Sequence, residues 1–240
     1  MRYKYIEFQN ERIYYQTNSI FHESQAVLFL HPAYTSSEAY RSQFDDLKSR
    51  YKLIAIDFPG HGETALHNKR TNMKSMNEII MTILKSEYIQ KVVIIGTSLG
   101  SLVAQNFTYH YPDYVLGVSL TGSYFIHQDF KALIKAQKNG QLKMLFTMFL
   151  NFKKFKEMMA DQACYTEDGK ALFQESGKSV SLSSMRLLSG ANDLCVETKS
   201  FHQRQTQIIM GEHEIRIIKD HQKAFTNHLR DITVHEVKHA

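Results

Sequence analysis

At 240 residues, 43% apolar and 22% charged, the chain is long enough for a domain with a sizeable buried core and too apolar to stay disordered. Its net charge of +5 comes from Lys and Arg scattered among acidic residues, and the densest basic piece, Lys153-Lys154-Phe155-Lys156, reads as the wet face of a helix, so nucleic acid is not an expected partner. The first residues lack an apolar core, no long apolar run follows, and two cysteines, Cys164 and Cys195, are too few for a disulfide framework or a metal site. A cytoplasmic protein with no signal peptide, no membrane span and no metal is expected.

Tyr3 to Phe8 and Arg12 to Gln16, separated by Gln9-Asn10-Glu11, read as a hairpin. Ala26 to Leu30 is a fully apolar strand that runs into His31-Pro32-Ala33-Tyr34, and a helix is expected near Glu38 to Ser49 with Ser36 or Ser37 as its N-cap. Lys52 to Asp57 is the next strand and ends in Phe58-Pro59-Gly60-His61-Gly62. A helix from about Met73 to Lys85 follows.

Val92-Val93-Ile94-Ile95 then stops at Gly96-Thr97-Ser98-Leu99-Gly100, and Leu102 to Tyr111 carries helical spacing. Ser98 therefore sits on a tight strand-to-helix turn, with Gly96 and Gly100 leaving room for close backbone approach. Tyr114 to Thr121 is a further strand. Strands alternating with helices in this rhythm imply right-handed βαβ units and a parallel sheet.

The Gly96-Thr97-Ser98-Leu99-Gly100 turn resembles the nucleophile elbow of the α/β-hydrolase family. Two more stretches agree in order and spacing. His31-Pro32-Ala33-Tyr34 is similar to the family's His-Gly loop, with Pro32 where glycine is usual, and Asp57-Phe58-Pro59-Gly60-His61-Gly62 is similar to its Asp-x-x-Gly-x-Gly turn, where His61 reads as a turn residue rather than a base. The resemblance implies a mostly parallel, doubly wound α/β sheet with a helical cap inserted after the sixth strand. Its divisions are 1–122 (first part of the core), 123–200 (cap) and 201–240 (second part of the core). It also implies Ser98 as nucleophile and the backbone N–H groups of Ala33 and Leu99 as oxyanion donors. Proline has no N–H, but the donor falls one residue later.

Phe130 to Lys138, Gln141 to Ala160 and Gly169 to Leu188 are helix-prone and would form the cap. Its apolar residues either pack the cap on the core or roof a pocket for a hydrophobic substrate moiety, with Tyr34, Met144 and Met148 as substrate-binding candidates. Thr206 to Met210 resumes the sheet, followed by Gly211-Glu212-His213-Glu214; the resemblance places the triad acid at Glu214, with Glu212 second. Ile215 to Leu229 reads as a helix and Ile232 to Val237 as the last strand. The family's histidine comes just after that strand. Lys238-His239-Ala240 looks like the lead-in to it, so the sequence is expected to be truncated and the base to lie past Ala240; otherwise His239 is the substitute, ahead of His235. The implied activity is hydrolysis of a carboxylic ester or thioester with an apolar portion, through an acyl-enzyme and with no cofactor. Cleavage of a C–C or amide bond, or ligand binding with little turnover, are the alternatives.

Overall fold

Along β4 (Lys52–Ile56) every residue is buried, the burial a strand has when both faces of its sheet are covered. In the computed structural model, which describes residues 2–18, 25–67, 70–126, 147–188, 190–196, 204–228 and 231–240, β4 belongs to one eight-stranded sheet. The other strands are β1 (Arg2–Phe8), β2 (Glu11–Thr17), β3 (Gln25–Leu30), β5 (Lys91–Thr97), β6 (Val115–Thr121), β7 (Gln205–Gly211) and β8 (Ile232–Val237), in the order β1-β2-β4-β3-β5-β6-β7-β8. β1 and β2 form an antiparallel hairpin through Gln9 and Asn10, both at positive φ as a two-residue turn of matching twist requires. β2 meets β4 antiparallel, and every later pairing is parallel. From β3 the chain moves first to one side, to β4, and then to the other, to β5. That reversal opens a crevice beyond the carboxyl ends of β3 and β5, the place where open α/β sheets bind ligands.

Helices α2 (Met76–Ser86) and α3 (Leu99–His110) cover one face. In α2 the residues Met76, Ile79, Ile80, Ile83 and Leu84 recur at three- and four-residue spacing and all are buried. α7 (Arg216–His228) joins them, its Phe225 ring 4.9 Å from that of Phe125. On the opposite face α1 (Arg41–Leu47) packs Phe44 with Phe29, Tyr40, Leu53 and Ala55. Further along that face, Val93, Leu116, Ser119, Gln207, Thr233 and His235 line an open groove of about 400 Å³.

Between β6 and β7 lie α4 (Phe152–Ala163), α5 (Glu167–Ser176) and the single turn α6 (Met185–Leu188). The predicted helix over 141–160 is interrupted at Asn151, whose side chain accepts the Lys154 amide at 2.9 Å and so starts α4 afresh. The predicted helix over 169–188 likewise ends at Ser176, followed by Gly177 and the serine-rich 179–184 stretch. The predicted helix over 130–138 lies outside the described residues. Neither Ser36 nor Ser37 caps the turn that leads into α1: the Ser36 hydroxyl makes no cap bond, and the Ser37 amide is given to Asp57 instead.

Two buried polar groupings fix this frame. The Glu87 carboxylate, at the end of α2, accepts from Lys4 Nζ (2.7 Å), Tyr15 Oη (2.7 Å) and Lys52 Nζ (3.0 Å), tying the hairpin and β4 to α2. Burial alone would raise its pKa, but the bonds from Lys4, Tyr15 and Lys52 hold it below the usual carboxylate range.

The second grouping joins the loops after β3 and β4. Asp57, fully buried, accepts the amides of Ser37 and Glu63, both at 2.9 Å. Gly62 is at φ +55°, and a Cβ there would stand 2.2 Å from Asp57 Cγ, which is why the loop carries glycine. The buried His31 accepts the Phe58 amide at Nε2 (3.0 Å), so its proton is on Nδ1, donated to the Pro32 carbonyl (2.8 Å). His61 lies beside it, ring centroids 5.3 Å apart. Burial pushes the His31 pKa well down and that of His61 down to about 4, while it raises that of Asp57.

Two outcomes are expected. Glu87→Ala strips the buried Lys52 ammonium of its carboxylate and should lower the unfolding free energy in urea by about 3–5 kcal/mol; a loss below about 1 kcal/mol would place the cluster among weak surface pairs. Because His61 titrates near 6.5 when unfolded and near 4 when folded, the unfolded chain binds more protons between those values. Stability should then be complete above pH 6.5 and fall as the solution is acidified, by about 3 kcal/mol for this ring over the whole interval. Asp57 works in the opposite sense. Urea unfolding at pH 7 and pH 5 of the wild type and of His61→Asn isolates the contribution of this ring, and equal slopes in the two proteins would mean that the imidazole is not held neutral.

Candidate active site

Ser98 stands between β5 and α3 at φ 49° and ψ −112°, a backbone conformation that a residue with a side chain rarely adopts. Neighbouring backbone holds it there. The Ser98 amide donates to the Thr121 carbonyl at the end of β6 (2.9 Å), and the Ser98 carbonyl accepts from the Ser101 amide (2.9 Å) in the first turn of α3. The flanking glycines serve close approach rather than unusual torsions. A Cβ on Gly96 would lie 2.7 Å from the Gly100 carbonyl oxygen, and one on Gly100 only 1.9 Å from that of Leu30. Any larger residue at 100 would thus drive α3 away from β3.

The same approach brings the start of α3 to the His31–Tyr34 loop. Leu99 is the first helical residue, so its N–H is among those with no acceptor inside the helix, at the positive end of the helix dipole. Ala33 lies in the turn of that loop. Tyr40 reinforces the junction: its buried hydroxyl donates to the Leu30 carbonyl (2.9 Å) and shares a 2.8 Å hydrogen bond with the Thr97 hydroxyl, linking the ends of β3 and β5 one residue before Ser98. Burial raises the Tyr40 pKa, so the phenol stays protonated. Sequence reasoning passes over Tyr40; its only signal is the four-residue spacing to Phe44 on one apolar face.

Tyr34 takes a left-handed conformation (φ 67°), with its ring edge-on to Phe155 of α4 at 5.2 Å. Burial raises its pKa as well. Met148 is buried, and Met144 lies outside the described residues.

Glu214 follows β7 and reaches the end of β6, where a Cβ on Gly122 would be 3.8 Å from its Oε2. Its Oε1 accepts the Ile215 amide (3.1 Å). Burial raises the Glu214 pKa, opposed by that amide and by Lys219. The carboxylate thus stands one residue past the Thr121 carbonyl that holds Ser98, so Glu214 and Ser98 both adjoin the end of β6.

His239 is placed differently. It is exposed, at φ 58°, and its backbone amide donates to Glu212 Oε2 (3.0 Å). The His213 amide donates to the Ala240 carbonyl (2.9 Å), so residues 238–240 are pinned against the turn after β7. Among the described residues no hydrogen bond joins the His239 ring to Glu214 or Ser98. His235 lies on β8 and faces the open groove on the α1 side of the sheet, away from the strand ends. His213 stacks on Tyr165 from the α4–α5 connection, ring centroids 3.9 Å apart. Among the described residues no three His, Cys, Asp or Glu side chains gather as a metal site, and no helix is long and apolar enough to cross a membrane.

A hydroxyl on a strained corner, helix-terminal amides beside it and a half-buried carboxylate on the adjoining strand ends together suit attack on a polarised centre. Comparison with known proteins places this arrangement in context. Est816, described as an N-acyl homoserine lactone degrading enzyme, matches 99% of this chain and 92% of its own with a TM-score of 0.79 at 14% identity. A carboxylesterase structure from the thaumarchaeon Nitrososphaera gargenis matches 100% of this chain and 90% of its own at 0.78, also at 14% identity. At that identity both are likenesses of fold. Epoxide hydrolase 4 of Homo sapiens is 28% identical over 136 residues, 55% of this chain and 37% of its own length. The chain spans between 22% and 37% of the length of this and the other leading curated relatives. The family pattern described as the alpha/beta hydrolase fold matches residues 25–157, more than half of the chain, from β3 through the Ser98 elbow into α4, and the chain belongs to that family.

Proposed function

We propose that the chain is a serine hydrolase that cleaves a carboxylic ester or thioester with an apolar portion by way of an acyl-enzyme. The observation that carries this reading is Ser98 at φ 49° and ψ −112°, at the first turn of α3 and at the reversal point of the sheet. Ser98 attacks the carbonyl carbon, and the Ala33 and Leu99 amides hold the oxyanion, a single such donor being worth about 3 kcal/mol. Glu214 orients and stabilises the imidazolium. Within this chain the candidate base is His239, and His239→Ala is then expected to abolish turnover. The segment 123–200 is assigned as the cap between the core parts 1–122 and 201–240, and Tyr34 and Met148 face the apolar part of the substrate, with Met144, outside the described residues, as a further candidate. Cys164 and Cys195 are not joined in a disulfide, which suits a cytoplasmic setting.

The chemistry of serine favours a carbonyl substrate over an epoxide, although an epoxide hydrolase is among the relatives. A serine acylated by an ester is itself an ester, which water cleaves. A serine alkylated by an epoxide is an ether, which water does not. Amide and C–C cleavage use the same acyl chemistry. The lactone-degrading relative acts on a cyclic ester, which agrees with this class. A ligand-binding role with little turnover is favoured by one observation, the absence of any bond between the His239 ring and Glu214.

The test uses p-nitrophenyl esters of graded acyl length and a fluorophosphonate probe on wild type and Ser98→Ala. The wild type should label and turn over, with a preference for longer acyl chains, and Ser98→Ala should lose labelling and about 10⁴-fold or more of kcat. A wild type that neither labels nor releases a burst of product would leave the binding role in place of the hydrolase.

A further inference from the structure

Gly177 ends α5 at φ −93° and ψ 10°, torsions open to any residue, so its own backbone does not call for glycine. What calls for glycine is a neighbour: a Cβ there would lie 2.2 Å from the Tyr34 carbonyl oxygen and 3.4 Å from the Tyr34 carbonyl carbon. The end of α5 is thus pressed against the His31–Tyr34 loop more tightly than any side chain would allow. The contact is braced from several sides. Lys156 Nζ of α4 donates to the Gly177 carbonyl (3.3 Å), Glu175 pairs with Arg41 at the start of α1 (2.8 Å), and the Tyr34 ring stands edge-on to Phe155. A parallel contact exists one loop away, where the Ser184 hydroxyl donates to the Gly60 carbonyl.

The loop itself has few ways to yield. Pro32 fixes one φ, its carbonyl accepts from both His31 Nδ1 (2.8 Å) and Thr35 Oγ1 (2.9 Å), and Tyr34 is already in the left-handed region. A push on the Tyr34 carbonyl therefore rotates the short segment that includes Ala33 instead of being absorbed by it.

We infer that Gly177 is a positioning residue for the oxyanion loop: the end of α5 clamps the Tyr34 carbonyl and thereby sets the direction of the Ala33 amide. This deepens the hydrolase reading and rests on its assignment of Ala33 as an oxyanion donor. It makes the helical segment over the site part of the catalytic geometry. A displacement of about 1 Å at a donor is enough to cost up to about 100-fold in rate.

The test is Gly177→Ala, compared with wild type and with Lys178→Ala, the exposed neighbour. Three readouts are taken: kcat and KM on p-nitrophenyl butyrate, Ki for a trifluoromethyl ketone, and the amide resonances of Ala33, Tyr34 and Leu99 in a ¹⁵N–¹H spectrum. Gly177→Ala should lower kcat about 10- to 100-fold with KM within about twofold, because an interaction made only in the transition state is lost. The Ki should rise by the factor by which kcat/KM falls. The Ala33 and Tyr34 amides should move, that of Leu99 should not, and Lys178→Ala should match wild type throughout. Should Gly177→Ala not fold, Lys156→Met removes the bond that holds the Gly177 carbonyl, loosening the clamp without adding bulk at 177, and should move the Ala33 amide and lower kcat in the same direction. Wild-type kcat in either folded variant, or an unmoved Ala33 amide, overturns the inference and leaves the hydrolase reading standing. Ala33 and Tyr34 amides that move in a protein whose wild type is silent on every ester uphold the clamp and sink the hydrolase reading instead.

Discussion

The close approach of α3 to the end of β3 is the constraint on which the rest of the structure turns. The Leu30 carbonyl occupies the space that a Cβ on residue 100 would fill, and the Gly100 carbonyl does the same at residue 96. With those two gaps closed by backbone, the first turn of α3 stands directly over the sheet, and the chain can leave β5 only through a sharp corner. Ser98 is that corner, and its torsions are a consequence of the packing rather than a preference of serine. Strain of this kind costs on the order of 1–3 kcal/mol and persists only where surroundings over-determine it. Here the Thr121 carbonyl, the first turn of α3 and the bridge through Tyr40 supply that surrounding.

A second layer of order comes from polar groups that have been removed from water and therefore must be bonded. Asp57 folds its own loop by taking the Ser37 and Glu63 amides, and His31 fastens that loop to the preceding one by accepting the Phe58 amide. In both cases the group is useful because it is buried: a solvated imidazole or carboxylate exchanges partners with water and specifies nothing. This explains why the two histidines of these loops are kept neutral and why neither suits proton transfer to Ser98. His31 already has both nitrogens engaged, and His61 is sealed below the loop.

Much of the fold is legible in the sequence because it is written in short-range patterns. Val92 to Ile95 announces a buried strand, Gly96 and Gly100 announce a tight corner, and Ile232 to Val237 is read as the last strand over the residues it occupies. The misread helices show where this ends. Asn151 and Gly177 sit inside apolar periodicity that runs straight through them, and only their local hydrogen bonding and packing show that the helix has stopped. Legibility of the site divides in the same way. Ser98, Ala33 and Leu99 are picked out by letters a few places apart, whereas Tyr40, Gly177 and Glu87 matter through partners 10 to 143 positions away, and no spacing rule reports those. Histidine is the hardest case, because a ring near the end of the chain looks the same in sequence whether it points at a carboxylate or, like His239, is held by its backbone on the surface.

Two kinds of glycine separate shape from chemistry in this chain. Gly62 is needed because its own torsion and the Asp57 carboxylate leave no room for a side chain, and its role ends with the loop it closes. Gly96, Gly100 and Gly177 have ordinary torsions and are needed because some other segment's backbone lies where a Cβ would be. Each of those three contacts joins elements that approach Ser98 from a different direction: β5 with α3, α3 with β3, and the helices between β6 and β7 with the loop after β3. Backbone packed on backbone cannot adjust by changing a rotamer, so it transmits position more faithfully than side chains do. In the proposed hydrolase, a hydroxyl that meets a carbonyl carbon while amides meet its oxygen needs that fidelity, which contacts made without side chains provide.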